Sequence, residues 1–251
     1  MNTNNNVMAQ RRRFLQAGSA AIAGLAVSGL PIAAFAADDA SRKLKIGVIG
    51  SGKVGGTVGG LWLKAGHEVT FSSLDLEYDK ALAARLGTGA RAGTTIQAAA
   101  FGEVLFFAVP YAALPKLGRD LADSIKDKVV LDACNPIPGR DGDMALEARA
   151  KGTGIASPQY LPGARIVRAF NCVGYSSMQS QAHRAGERLG IPLAADDALA
   201  LRIAVRLVQD AGFEPVVVGS LARAKEFDAG TPIFGRALTA AEVRRELGIR
   251  S

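Results

Sequence analysis

Apolar positions along this chain fall into two alternating kinds of run. Leu44–Ile49, Glu68–Ser72, Val104–Val109 and Val129–Asp132 are short and rich in β-branched and aromatic residues, and they read as strands, as does a shorter stretch at Ala90–Gly93. Between them, Val54–Ala65, Tyr78–Leu86, a segment opening at Thr95 and most of Leu114–Ile125 read as helices, with Gly66 and Gly87 stopping the first two. A turn-rich stretch, Asn135-Pro136-Ile137-Pro138-Gly139, precedes a strand at Arg165–Phe170. Asp197 is placed to cap a helix over Ala198–Ala211, with Leu199, Ile203 and Leu207 on its packing face, and Glu214–Val218 is the last strand. Thr239-Ala240-Ala241-Glu242 matches a capping box ahead of a final short helix. Strands alternating with helices mean βαβ units, hence an α/β fold with a mostly parallel sheet and helices on both faces.

The first 36 residues break the pattern. Arg11, Arg12 and Arg13 stand together, no acid occurs, and 24 uncharged residues follow from Phe14 to Ala37. Pro31 and then Ala34-Phe35-Ala36, a small-residue cleavage pattern, close the stretch. Arginines followed by Phe14-Leu15 match the twin-arginine consensus. Segment 1–36 therefore reads as a twin-arginine signal peptide cleaved after Ala36, carrying a folded protein through the twin-arginine export machinery to the periplasm or another exported compartment. Retention as a membrane anchor is the other reading of an uncharged stretch this long. Beyond the leader, 27 basic and 23 acidic residues remain with no Lys/Arg cluster, which argues against a nucleic-acid partner.

Candidate chemistry begins at Gly50-Ser51-Gly52-Lys53-Val54-Gly55, a G-x-G-x-x-G directly after a strand and directly before a helix. The first glycine permits the tight turn, the second lets a pyrophosphate approach the backbone, and the third allows close helix–strand packing. The helix N-terminus supplies free N–H groups for the phosphates. This makes 37–219 a Rossmann-type doubly wound NAD(P)-binding domain, with 220–251 a small C-terminal extension carrying the short helix. At the end of the second strand stand Phe71-Ser72-Ser73, where NAD-binding proteins place an acid for the ribose 2′-hydroxyl. Ser72 and Ser73 suit the 2′-phosphate of NADP, and Asp75 lies late for the acid's role; the alternative is that the two serines are plain turn residues.

The chain resembles the family of NADP reductases that use the deazaflavin coenzyme F-420. The likeness is carried by Lys45–Gly52, Phe107-Ala108-Val109-Pro110, Leu131–Pro136, Val167–Asn171, Ala211–Pro215 and Val218–Leu221. It implies a Rossmann domain with a small extension, NADP along the carboxyl edge of the sheet with Ala108, Val109 and Pro110 on the nicotinamide side and Asn135 at the site, a deazaflavin or flavin-type small-molecule acceptor, and a homodimer. The family commonly carries an arginine just after the serines, where this chain has Leu74, and threonines where it has Cys134 and Cys172.

Direct hydride transfer needs stacking and orientation more than an acid–base pair. No catalytic acid or base is assigned: His67 reads as a turn residue before the second strand, and His183 has no evident partner. Neither has the spacing of a metal ligand. Competing readings are a small-molecule imine or hydroxyacid reductase and a non-catalytic NADP-binding redox sensor. Cys134 and Cys172 each follow a strand and are placed at one edge of the sheet, either as a disulfide or as two small buried residues; the latter is the favoured expectation.

Overall fold

A computed structural model of the chain describes residues 42–249. The leader assigned to 1–36 lies outside the described residues. The strands are β1 (Lys45–Ile49), β2 (Glu68–Ser72), β3 (Ala90–Ala92), β4 (Val104–Phe107), β5 (Val129–Asp132), β6 (Arg165–Arg168), β7 (Gly190–Ala195) and β8 (Glu214–Gly219). They form one sheet in the order β3-β2-β1-β4-β5-β6-β7-β8. β1 to β6 run parallel, β7 is antiparallel to β6, and β8 is parallel to β7. Chain order reverses between β1 and β4, and the crevice outside their carboxyl ends is where doubly wound sheets bind ligands.

The helices are α1 (Lys53–Lys64), α2 (Leu76–Leu86), α3 (Thr95–Phe101), α4 (Leu114–Asp120), α5 (Ala122–Ile125), α6 (Pro138–Asp141), α7 (Asp143–Lys151), α8 (Thr153–Tyr160), α9 (Tyr175–Gln181), α10 (Ala198–Asp210) and α11 (Ala240–Glu246). Both faces of the sheet are covered. Along β4, Phe106 joins Val48, Trp62, Phe71 and Phe170 in one core, while Leu105 and Phe107 join Ile49, Tyr111 and Leu114 in the other. A strand buried on both sides reads as a continuous apolar run, as Val104–Phe107 does. Trp62 anchors the first core, edge-on to Phe106 and Phe170 with ring centroids 5.1 and 5.7 Å away.

Several expectations are corrected. The strands read to Val109 and Phe170 stop at Phe107 and Arg168. Phe170 adopts φ +59°, a left-handed conformation that turns the chain out of the sheet. The stretch read as turns after Asn135 contains α6, and α7, α8, α9 and β7 carry signals too weak to read. α8 contains Gly154 and Pro158, and α9 buries only Met178. β7 contains Gly190 and Pro192, which oppose a central strand. The proline is tolerated because β6 pairs only with the far end of β7, at Ala194 and Ala195.

The packing face of α10 is also shifted. Ala200, Ala204, Leu207 and Val208 are buried, while Leu199 is 40% exposed. Small residues let α10 approach Trp62, whose indole N–H donates to the carbonyl of Leu207 at 2.8 Å. His67, read as a turn residue, lies directly after the turn at 65–66 and is buried. Its Nδ1 accepts the Leu44 N–H at 3.1 Å and its Nε2 lies 3.0 Å from Asp210 Oδ2. An acceptor at Nδ1 places the hydrogen on Nε2, so the ring is neutral. His183 takes φ +56° and donates its backbone N–H to Gly212.

Candidate functional site

β1 delivers the chain to the switch point at Gly50. The N–H groups of Gly50 and Ser51 both donate to the carbonyl of Ser72, at 2.9 and 3.0 Å, tying the loop to the end of β2. Gly50 has φ +100°, and a Cβ there would stand 2.5 Å from the Ala108 carbonyl oxygen and 2.7 Å from Val109 Cγ1. Gly55 packs α1 against that loop: its Cβ would fall 1.9 Å from the Gly50 carbonyl oxygen. Gly52 differs from both, because a Cβ on it would meet nothing within 4 Å. It caps α1 with no side-chain cap and no acid in the first turn. The first N–H groups of a helix have no intrahelical partner. Here they open onto free space beside Gly52, a fit for a pyrophosphate.

The flanking residues take distinct positions. Lys53 is exposed, with its ammonium 5.1 Å from the centroid of the Tyr175 ring. Val54 is half-buried against the first core. Ala108 continues the ladder by donating to the Ile49 carbonyl at 2.9 Å, Val109 packs on the second core, and Pro110 is exposed. Together they form a mostly apolar wall beside the glycine loop. Asn135 is half-buried; its amide donates to the Asn171 carbonyl at 2.8 Å, and its Oδ1 has no hydrogen-bond partner among the described residues.

The serines at the end of β2 stand where the sequence puts them, with their hydroxyls turned inward. Ser72 is buried and donates to the Val48 carbonyl at 2.8 Å. Ser73 donates to Asp79, whose two carboxylate oxygens each lie 3.0 Å from its Oγ. Ser51, in the glycine loop, also donates to Asp79. Asp79 is fully buried in the first turn of α2. Sequence reading passed it over, although an acid 24 residues past Gly55 lies in the window where Rossmann proteins place a ribose-reading carboxylate.

Further along the same edge lies a closed charge cluster. Arg168, fully buried, pairs with Asp132 at 2.8 Å and with Asp228 at 3.3 Å. It also donates to the carbonyls of Asp132 and Cys134. Asp228, from the C-terminal extension, accepts from the backbone N–H and hydroxyl of Thr153 at 2.9 and 2.5 Å. Cys134 and Cys172 follow neighbouring strands and are both free. They sit in different cores, Cys134 with Phe107 and Cys172 with Phe227. Burial pushes the Cys134 thiol well above its ordinary value, reinforced by Asp132, and pushes Cys172 up to about 12. No cluster of metal-ligating side chains occurs among the described residues.

Residues 45–136 match the family model described as NADP oxidoreductase coenzyme F420-dependent. No curated protein matches the chain in sequence. Among solved structures, a hypothetical protein from Sinorhizobium meliloti superposes with a TM-score of 0.65 at 23% identity, over 79% of this chain and 96% of the other. A protein from Arthrobacter sp. FB24, proposed to be an F420-dependent NADP-reductase, superposes with a TM-score of 0.62 at 21% identity, over 78% and 99%. An imine reductase from Myxococcus stipitatus gives 0.55 at 16% identity, over 75% of this chain and only 59% of its own. At such identities the likeness establishes the fold. With the family match on the glycine-loop stretch, it makes this chain an NADP-dependent oxidoreductase of Rossmann type, similar over residues 45–136 to the coenzyme F420-dependent NADP oxidoreductases.

Proposed function

We propose that the protein is an exported homodimer that moves a hydride between NADP(H) and a deazaflavin or flavin-type acceptor. The observation that carries this reading is the open first turn of α1. Gly52 leaves space in front of uncapped N–H groups, at the switch point, while Gly50 and Gly55 are locked by contacts that no side chain would allow. That loop would hold the pyrophosphate, with Gly50, Ser51, Gly52, Lys53, Val54 and Gly55 as its frame. Ala108, Val109 and Pro110 would present an apolar wall to the nicotinamide side, and Asn135 would border it. The bound cofactor supplies hydride chemistry; the protein's part is to stack, orient and exclude water.

The test uses NADPH carrying deuterium on one face of the nicotinamide, offered with a deazaflavin or flavin. Label in the reduced acceptor from one face supports direct transfer. Label from neither face overturns it, and tight NADPH binding without turnover would favour the sensor reading. Export rests on Arg11, Arg12 and Arg13 ahead of Phe14-Leu15. Replacing the three arginines with lysine should block export, because a receptor reads the twin arginines rather than charge alone; normal processing of that variant would refute it.

A further inference from the structure

We propose that the ribose end of this site reads hydroxyls without favouring a phosphate, so that the protein takes NADH at least as readily as NADPH. The inference rests on the dinucleotide reading above. Three serine hydroxyls stand where the glycine loop meets the end of β2, and the hydrogen of each is already committed. Ser51 and Ser73 give theirs to Asp79, and Ser72 gives its hydrogen to the Val48 carbonyl. A 2′-phosphate is an oxyanion and needs donors. A serine oxygen whose hydrogen is spent can only accept. Ser73 Oγ also accepts the Asp75 N–H at 3.1 Å, which leaves it a remaining lone pair. A ribose hydroxyl, itself a donor, suits that lone pair.

Charge points the same way. Asp79 is buried and forms no ion pair among the described residues. Lys80, its neighbour in sequence, is taken by Glu77 at 2.8 Å. Asp75 caps α2 with its carboxylate, and Leu74 at the tip of the turn is fully exposed and uncharged. The turn thus offers three acids, Asp75, Glu77 and Asp79, against one occupied lysine. Lys53, Lys64 and Arg85 line a groove of about 340 Å³ between α1, α2 and α9 that begins at Gly52 and Tyr78, and neither Ser72, Ser73 nor Asp79 lines it.

The experiment is fluorescence titration of the purified full chain with NADH and with NADPH, reading the two dissociation constants and their ratio. NADH should bind as tightly as NADPH or more tightly. Asp79→Asn removes the like charge and keeps the shape, and should shift the ratio toward NADPH by roughly tenfold. Leu74→Arg, on a side chain the fold does not use, should shift it in the same direction by a similar factor, independently of whether the first variant folds. NADPH bound tighter than NADH by the unaltered protein would overturn the proposal, as would a ratio unmoved by both variants. Such a preference, abolished by Arg85→Ala, would place the phosphate in the groove instead. Binding of neither dinucleotide would overturn the underlying dinucleotide reading as well, so the two failures are distinct.

Discussion

Two corners of one sheet edge handle polar groups in opposite ways. At the β1–β4 corner, backbone donors at the start of α1 are left without partners, and Gly52 faces open space. At the β5–β6 corner, a guanidinium, two carboxylates, a hydroxyl and several carbonyls close on one another around Arg168. Unpartnered backbone donors that face open space at a switch point mark a binding site; charges paired with one another, here with Arg168 Nε and Asn171 Oδ1 left without hydrogen-bond partners among the described residues, mark a clamp. Here the clamp joins the carboxyl ends of β5 and β6 to α8 and to the C-terminal extension. It also fixes the loop that carries Cys134 and Asn135.

The comparison breaks most visibly at the clamp. Arg168→Ala would leave Asp132 and Asp228 buried without their counter-charge, and removing one partner of such a pair costs about 3–5 kcal/mol. Urea unfolding should show that loss; an unchanged midpoint would mean the cluster carries no stability. Next come the two glycines. Gly55→Ala drives a Cβ into the Gly50 carbonyl and should cost about 3 kcal/mol by overpacking. Gly52→Val should cost under about 1 kcal/mol, since its Cβ meets no protein atom, yet abolish dinucleotide binding. If Gly52→Val instead destabilised the fold and spared binding, the open corner would be a structural turn.

A smaller effect belongs to the opposite edge of the sheet. Burial lowers the His67 pKa below its ordinary 6.5, with Asp210 pulling partly back. The folded state therefore favours the neutral ring. Its contribution to stability is present above pH 6.5 and is lost as the pH falls through that value and then through the lower folded value. The melting temperature should drop over that interval, and His67→Asn should flatten the drop; an equal drop in the variant would exclude His67 as its source. The smallest effect concerns the cysteines. With both thiols buried and raised, a thiol reagent should label neither in the native protein and both after denaturation without reductant. Absence of free thiols after denaturation would mean that they pair.

Local signals carried much of this structure. Period and punctuation define β2, β5, Asp197 as the cap of α10 and the capping box at Thr239. Each depends on residues within one element, where spacing and backbone chemistry are sufficient. The glycine loop was legible for the same reason: each glycine has a conformational or contact requirement set by the strand before it and the helix after it. β7 was hidden because its burial comes from neighbours, not from its own Gly-Ile-Pro-Leu-Ala-Ala composition. The roles of Ser72 and Ser73 were hidden more deeply. Sequence shows that a hydroxyl is present but not where its hydrogen points. That direction was decided by Val48 and by Asp79, which also holds Ser51, 28 residues earlier in the chain. Hydrogen-bond partnership depends on proximity in space and is created only when β1, β2 and α2 come together. The chain alone therefore marked a candidate dinucleotide site, and the tertiary structure decided which of its groups remain free to read a ligand.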